Sequence, residues 1–230
     1  MIGPRENFRI GAQALAFRAT AENLVLAVQY LAFSSVEGEV AEFGCMTGRT
    51  AVALAAGLQW QRHQKDIHLF DSFEGLPKAT AEADQNNFHV SSGIWGPGTC
   101  RGISPAQLRK KCARFLADER IHIYKGWFSE TLPSLPAEVK FALVHIDCDL
   151  YQSAIDVLDY LFRTRRLSEG AIILFDDWDC NRASNDHGER RAWREVQQKF
   201  QVSFSDGGSY GCAGHKLIIH AYSSPDAGRS

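Results

Sequence analysis

The sequence predicts an α/β fold: a mostly parallel seven-stranded sheet with an antiparallel C-terminal strand and helices on both faces. Three observations carry this. Short apolar runs alternate with helix-length stretches, the pattern of strands joined by helical crossovers. Two of the runs, Phe141–Ile146 and Ala171–Phe175, break directly into carboxylates, at Asp147 and at Asp176-Asp177. The last two runs are joined by glycine-rich residues too few for a crossover helix, so that pair must be antiparallel.

The elements follow in order. Residues 6–34 carry leucines among alanines without a proline and read as a helix. Val36–Phe43 is a strand, Gly44–Gly48 a glycine-bearing turn, and Arg49–Arg62 an alanine-rich helix. Ile67–Phe73 is a second strand that meets an acid, Asp71. Residues 78–103 lack periodicity and read as a lid-like insertion that closes over the acceptor, with Trp95 contributing to the acceptor pocket. A helix begins at Ser104-Pro-Ala-Gln107, where Ser104 and Gln107 have the spacing of a capping box and Pro105 suits the first helical position. Ile121–Gly126, Phe141–Ile146 and Ala171–Phe175 are strands, and residues 150–166 and 188–200 are helices. Val202–Ser205 and Lys216–Tyr222 close the sheet, and residues 223–230 form a polar, loose tail. Arg163, Arg165 and Arg166 end a helix where cations favour its dipole, which accounts for them without a partner.

Composition narrows the function. With 230 residues, 45% hydrophobic and 23% charged, the chain reads as one domain over 1–230, with residues 1–35 as an N-terminal helical segment able to pair subunits in a homo-oligomer. A net charge of −2 gives no electrostatic case for nucleic acid or an anionic membrane. No apolar run approaches the roughly 20 residues of a membrane span, and the N-terminus has no signal pattern, so the expected location is cytoplasmic. Six scattered cysteines without a CxxC suit free thiols better than disulfides or zinc.

Ligands of an open parallel sheet sit at the carboxyl ends of its strands. The turn Glu42-Phe-Gly-Cys-Met-Thr-Gly48 lacks the third glycine of pyrophosphate binders and has Glu42 at the strand end. A carboxylate there suits an ammonium-bearing ligand such as S-adenosylmethionine and repels a pyrophosphate. The bland alternatives are a Glu42–Arg49 pair and a tight turn at Gly44. Asp71 is placed to accept ribose hydroxyls, and Trp127 and Phe73 either flank an adenine or belong to the core. Asp147, Asp176 and Asp177 would repel one another without a cation, and an all-oxygen set favours Mg²⁺, Ca²⁺ or Mn²⁺. Asp149, three residues before Gln152, reads as the cap of the next helix. His145 reads as a satisfied core histidine. His187, in the polar loop after Asp177, is a candidate base or a solvated side chain.

Four segments in order, Phe70-Asp-Ser-Phe-Glu-Gly-Leu-Pro77, Lys125-Gly-Trp-Phe-Ser-Glu-Thr-Leu-Pro133, Asp147-Cys-Asp-Leu-Tyr-Gln-Ser153 and Asp176-Asp-Trp178, resemble the macrocin and mycinamicin sugar O-methyltransferases. The resemblance runs from about residue 38 to residue 200. It implies a Rossmann-like class I methyltransferase fold, S-adenosyl-L-methionine as cofactor, and Mg²⁺ (or Mn²⁺). It implies a small-molecule acceptor, a glycosylated or phenolic natural product. By motif, Glu42 and Gly44 look like the methionine end of the cofactor site, and Asp71 with Ser72 like its ribose side. Asp147, Asp176 and Asp177 look like metal ligands, with Asp147, or else His187, as catalytic base. The segment 178–188 departs from the family's usual continuation. The expected activity is a metal-dependent O-methyl transfer. The alternatives are a metal-independent O- or N-methyltransferase and a catalytically silent methyltransferase-like binding subunit.

Overall fold

The computed structural model of the chain describes residues 4–223. Its first half alternates as expected: α1 (Pro4–Phe33), β1 (Glu39–Phe43), α2 (Arg49–Trp60) and β2 (Ile67–Asp71). Two single turns, α3 (Glu82–Gln85) and α4 (Phe88–Ser91), precede α5 (Pro105–Cys112), β3 (Ile121–Lys125) and the short α6 (Phe128–Thr131). The second half contains β4 (Phe141–Ile146), α7 (Tyr151–Arg163), β5 (Leu167–Phe175), the turn α8 (Cys180–Ala183), α9 (Gly188–Lys199), β6 (Ser203–Tyr210) and β7 (Gly214–Ala221). The capping box forms as read: the Gln107 N–H donates to Ser104 Oγ at 3.3 Å, and the Ser104 N–H donates to Gln107 Oε1 at 2.9 Å.

The strands form one sheet in the order β3-β2-β1-β4-β5-β7-β6. β1 to β5 pair in parallel, and β7 runs antiparallel between β5 and β6. Every residue of β4 is buried, because a central parallel strand is covered on both faces and needs an unbroken apolar run. One core lies under α7 and α9 and includes Phe43, Phe141, Phe162 and Phe200. The other lies under α1, α2 and α5 and includes Val28, Leu54, Leu108 and Leu174. Among the described residues no helix is long and apolar enough to cross a membrane. Residues 224–230 of the expected loose tail lie outside the described residues.

The stretch 78–103, expected to be an irregular lid-like insertion, holds two four-residue helical turns, α3 and α4, between irregular connections. Asn87 is fully buried, with its Oδ1 accepting the Val90 N–H at 2.7 Å. Trp95 is 5% exposed and stacks on His89 with ring centroids 4.4 Å apart, so it packs inside the segment rather than facing the cleft at the strand ends.

Candidate active site

The strand order reverses between β1 and β4, and there the chain leaves both strands for a common cleft. The approach is close. Gly44 has φ +91°, and a Cβ built on it would lie 1.8 Å from the Asp147 carbonyl oxygen. Only glycine fits that position. The Asp147 N–H donates to Phe43 O and the Asp176 N–H to Ile146 O, both at 2.9 Å, so each acid continues the ladder of its strand.

The cleft is walled by Gly44, Met46, Asp71 and Ser72, by the loop Gly75–Thr80, by Gly126–Ser129, and by Asp147–Leu150. Asp71 serves the glycine turn: its Oδ2 accepts the N–H groups of Cys45 (2.7 Å) and Met46 (3.1 Å), and its Oδ1 accepts that of Phe73 (2.6 Å). A carboxylate offers about four lone-pair positions, so one remains on Oδ1 for a ligand. Ser72 Oγ donates to Gly75 O at 2.8 Å and accepts the Glu74 N–H at 3.0 Å, bracing the next loop. Trp127 stands in the cleft wall, whereas Phe73 is in the core.

Glu42 lies behind this wall, fully buried, with Oε1 2.9 Å from His145 Nδ1; it pairs with that histidine and not with Arg49, whose guanidinium lies over the Phe17 ring. His145 Nε2 is 3.9 Å from Asp176 Oδ1. Burial works against a charged His145, but the nearby carboxylate of Asp176 and the hydrogen-bonded one of Glu42 outweigh it and hold the imidazole well above its ordinary pKa. The core histidine thus lies between two acids, Glu42 on Nδ1 and Asp176 facing Nε2.

The remaining acids crowd together. Burial, then the charges of Asp176 and Asp177, push Asp147 well above the usual carboxylate range. Burial, then Asp177 and Asp176, do the same to Asp149. Burial and then Asp176 push Asp177 up to about 6. Asp177 Oδ1 accepts the Cys180 thiol at 3.3 Å, while its Oδ2 is buried without a partner. Asp149 does not cap α7. It sits at φ +63° in the cleft wall, and the helix begins one residue later, after Leu150. The cap comes from Asp84 of α3, whose Oδ1 accepts the Tyr151 N–H at 2.7 Å and whose Oδ2 accepts that of Gln152 at 3.0 Å. His187 Nδ1 bonds to Ala83 O at 2.9 Å, outside the cleft wall.

A family model described as Macrocin-O-methyltransferase (TylF) matches residues 10–203. The chain belongs to the macrocin-O-methyltransferase (TylF) family. It is 28% identical over 178 residues to the 8-demethyl-8-(2,3-dimethoxy-alpha-L-rhamnosyl)-tetracenomycin-C 4'-O-methyltransferase of Streptomyces olivaceus, a match covering 74% of this chain and 65% of that one. It is 26% identical to the mycinamicin III 3''-O-methyltransferase of Micromonospora griseorubida, over 73% of this chain and 67% of the relative. The match thus spans less than two thirds of the first relative's length. The solved O-methyltransferase NovP shares the fold at TM-score 0.71 and 22% identity, over 87% of this chain and 79% of that one. The strand order and this likeness make the fold a class I methyltransferase fold.

Two site residues of this TylF-family chain are not evident from its sequence. Glu189, in the first turn of α9, is fully buried; its Oε2 accepts the Asp177 N–H at 3.0 Å and its Oε1 has no partner. Burial, then Asp177, Asp147 and Asp176, raise its pKa well above normal. Asp84 is the other. Asp84 lies in the stretch read as irregular and Glu189 beside the polar loop after Asp177, and only the tertiary contact reveals them. Among the described residues no three His, Cys, Asp or Glu side chains form a ready-made metal site.

Proposed function

We propose that this chain is an S-adenosyl-L-methionine-dependent O-methyltransferase acting on a hydroxyl of a small molecule, a sugar of a glycosylated natural product. The observation that carries it is the cleft at the reversal of strand order, where the glycine turn, Asp71 and two carboxylates meet in a chain of this family. The two relatives, named for methylation of a rhamnosyl tetracenomycin and of mycinamicin III, support the acceptor class. In this reading the methionine end of the cofactor lies along Gly44, and the ribose takes the remaining lone pair of Asp71 beside Ser72. Glu42 acts from behind, by holding His145 against Asp176.

Methyl transfer is an in-line displacement, so the chain must align donor and acceptor and take a proton from the hydroxyl. Asp149 suits the base better than the sequence suggests, because it is relieved of capping and lines the cleft. Asp147 is the second candidate. His187 is a weaker one, as its Nδ1 is occupied.

The reading includes a divalent cation held by Asp147, Asp176 and Asp177. It is supported by the buried, unpartnered oxygens of Asp177 and Glu189 and by the raised pKa values of the group. Bound Mg²⁺ or Mn²⁺ would lower the acceptor hydroxyl's pKa and help orient it. To hold it, Asp177 would give up its bond to Cys180, consistent with the lack of a preassembled ligand set.

The test is calorimetry with S-adenosylmethionine and NAD, followed by assays of S-adenosylhomocysteine release with a panel of rhamnosylated polyketides. Binding of S-adenosylmethionine but not NAD is expected, as is turnover that stops in EDTA and returns with Mg²⁺ or Mn²⁺. Full turnover in EDTA would remove the cation from the reading and leave a metal-independent methyltransferase.

A further inference from the structure

We propose that the segment 78–103 is a fixed clamp that sets the spacing between the two acid-bearing loops, with Asp84 and Asn181 as its positioning residues. This rests on the reading above that those loops carry the chemistry.

The first contact is with the β4–α7 loop. α7 has no cap from its own sequence, since Leu150 offers no side-chain acceptor. Two of the N–H groups that α7 leaves open, those of Tyr151 and Gln152, point at one carboxylate, Asp84, from a segment far away in the chain. Asp84 is fully buried. A buried carboxylate needs charge-assisted partners, and a helix N-terminus supplies them. The loop is thus pinned at both ends, at Asp147 by the Phe43 carbonyl and at Tyr151-Gln152 by Asp84. Asp149 lies between the pins in a left-handed conformation.

The second contact is with the loop after β5. Asn181 and Arg182 have φ/ψ of 55°/37° and 61°/34°, and Ala183 has φ 54°. Three successive non-glycine residues therefore have left-handed φ, a conformation that only the asparagine among them tolerates readily. Such a turn persists where its surroundings over-determine it. Here the surroundings are the clamp: Asn181, 6% exposed, accepts from His89 Nδ1 at 2.8 Å, and the Arg182 guanidinium lies 5.7 Å from the Phe88 ring centroid. Cys180 of the same turn reaches back to Asp177. A third contact, His187 Nδ1 to Ala83 O, fixes the entry to α9 and Glu189.

All three contacts leave from residues 83–89 and land on elements that carry or adjoin the acids. Trp95 stacks on His89 and stiffens the clamp from within. A proton acceptor must sit within hydrogen-bond reach of the hydroxyl, and a displacement of about 1 Å can lower the rate roughly 100-fold. Asp84, at the cleft wall, and Asn181, outside it, thereby govern the placement of the acids between them.

The experiment is hydrogen exchange followed by mass spectrometry on wild type, Asp84→Ser, Asn181→Ala and a control at the exposed Asn86, Asn86→Ala. Each clamp variant is expected to raise exchange about tenfold or more in both 147–155 and 177–188, because releasing one end frees the other. The control should leave both unchanged. The proposal is overturned if each variant loosens only the loop it touches, or if 78–103 already exchanges freely in wild type, as a mobile lid would. Thermal melts check folding. If Asp84→Ser does not fold, Asn181→Ala decides alone: a rise across 147–155 supports the clamp, and no rise overturns it. Titration of wild type with S-adenosylhomocysteine separates the two ideas. Absence of binding refutes the methyltransferase reading, while the exchange data still judge the clamp.

Discussion

Asp71 accepts three backbone N–H groups at the glycine turn and keeps one lone pair free, so at the residue scale its substitution should be read in two signals. Asp71→Ala is expected to weaken S-adenosylmethionine binding by about 1–3 kcal/mol in calorimetry, the scale of hydrogen bonds to a charged group. It should also lower the melting temperature, because the N–H groups of Cys45 and Met46 lose their acceptor. Unchanged affinity would dismiss the ribose role and leave Asp71 as a brace of the turn. Gly44→Ala should be harsher. The positive φ and the clash with the Asp147 carbonyl together predict a loss on the order of 3 kcal/mol in urea denaturation. A variant as stable as wild type would mean that the two strand ends can separate freely.

At the scale of elements, the β2–β3 pair carries a pH dependence. His68 of β2 is buried, its Nδ1 lies 3.0 Å from the Tyr124 hydroxyl, and its ring stacks on His122 at 4.6 Å. Burial, then the charge of His122, lowers its pKa to about 4. The folded chain therefore binds fewer protons than the unfolded one between about pH 4 and the ordinary histidine value near 6.5. The stability His68 contributes is present in full above about 6.5 and is lost as the pH falls through about 4, by up to roughly 3 kcal/mol. His68→Phe should flatten this acid limb in denaturation midpoints measured across pH 4–7. Parallel limbs for the two proteins would show that His68 is not responsible.

Elements also divide what was legible in the sequence from what was not. β4 appears with the expected bounds because a strand buried on both faces is written as a continuous apolar run. The start of α5 is legible because Ser104 and Gln107 are three residues apart. The acids at the ends of β2, β4 and β5 are legible for the same local reason. α3 and α4 are not, since four residues are too few to show a helical period. The Asp149 expectation fails because a cap from a distant segment displaces the local one, and Glu189 is hidden because a helix-terminal glutamate looks the same buried or exposed. The left-handed turn at 181–183 carries no glycine to announce it.

The described residues are organised by one sheet with a core on each face, and both cores draw side chains from the same strands. Phe162→Ala beneath α7 should cost about 3–5 kcal/mol and Leu54→Ala beneath α2 about 2–5 kcal/mol. Both should shift a single transition in which tryptophan fluorescence and circular dichroism coincide, as one cooperative domain requires. Two resolved transitions, or a fluorescence change that leaves the helices intact, would divide the chain into separate units.

The position of β7 between β5 and β6 has a consequence during synthesis. As the nascent chain leaves the ribosome, β1 to β5 can assemble in parallel, yet the outer edge of β5 waits for a strand made much later. Until residues 214–221 emerge, Ile172–Phe175 present unpaired backbone groups and an uncovered apolar surface, the template on which strands of other molecules add. Translation stalled near residue 202 should therefore release aggregating product, while the full chain from the same lysate stays in the supernatant after centrifugation. The strand that completes the sheet thus also acts as its shield against intermolecular pairing, and a soluble stalled product would show that another part of the chain covers that edge first.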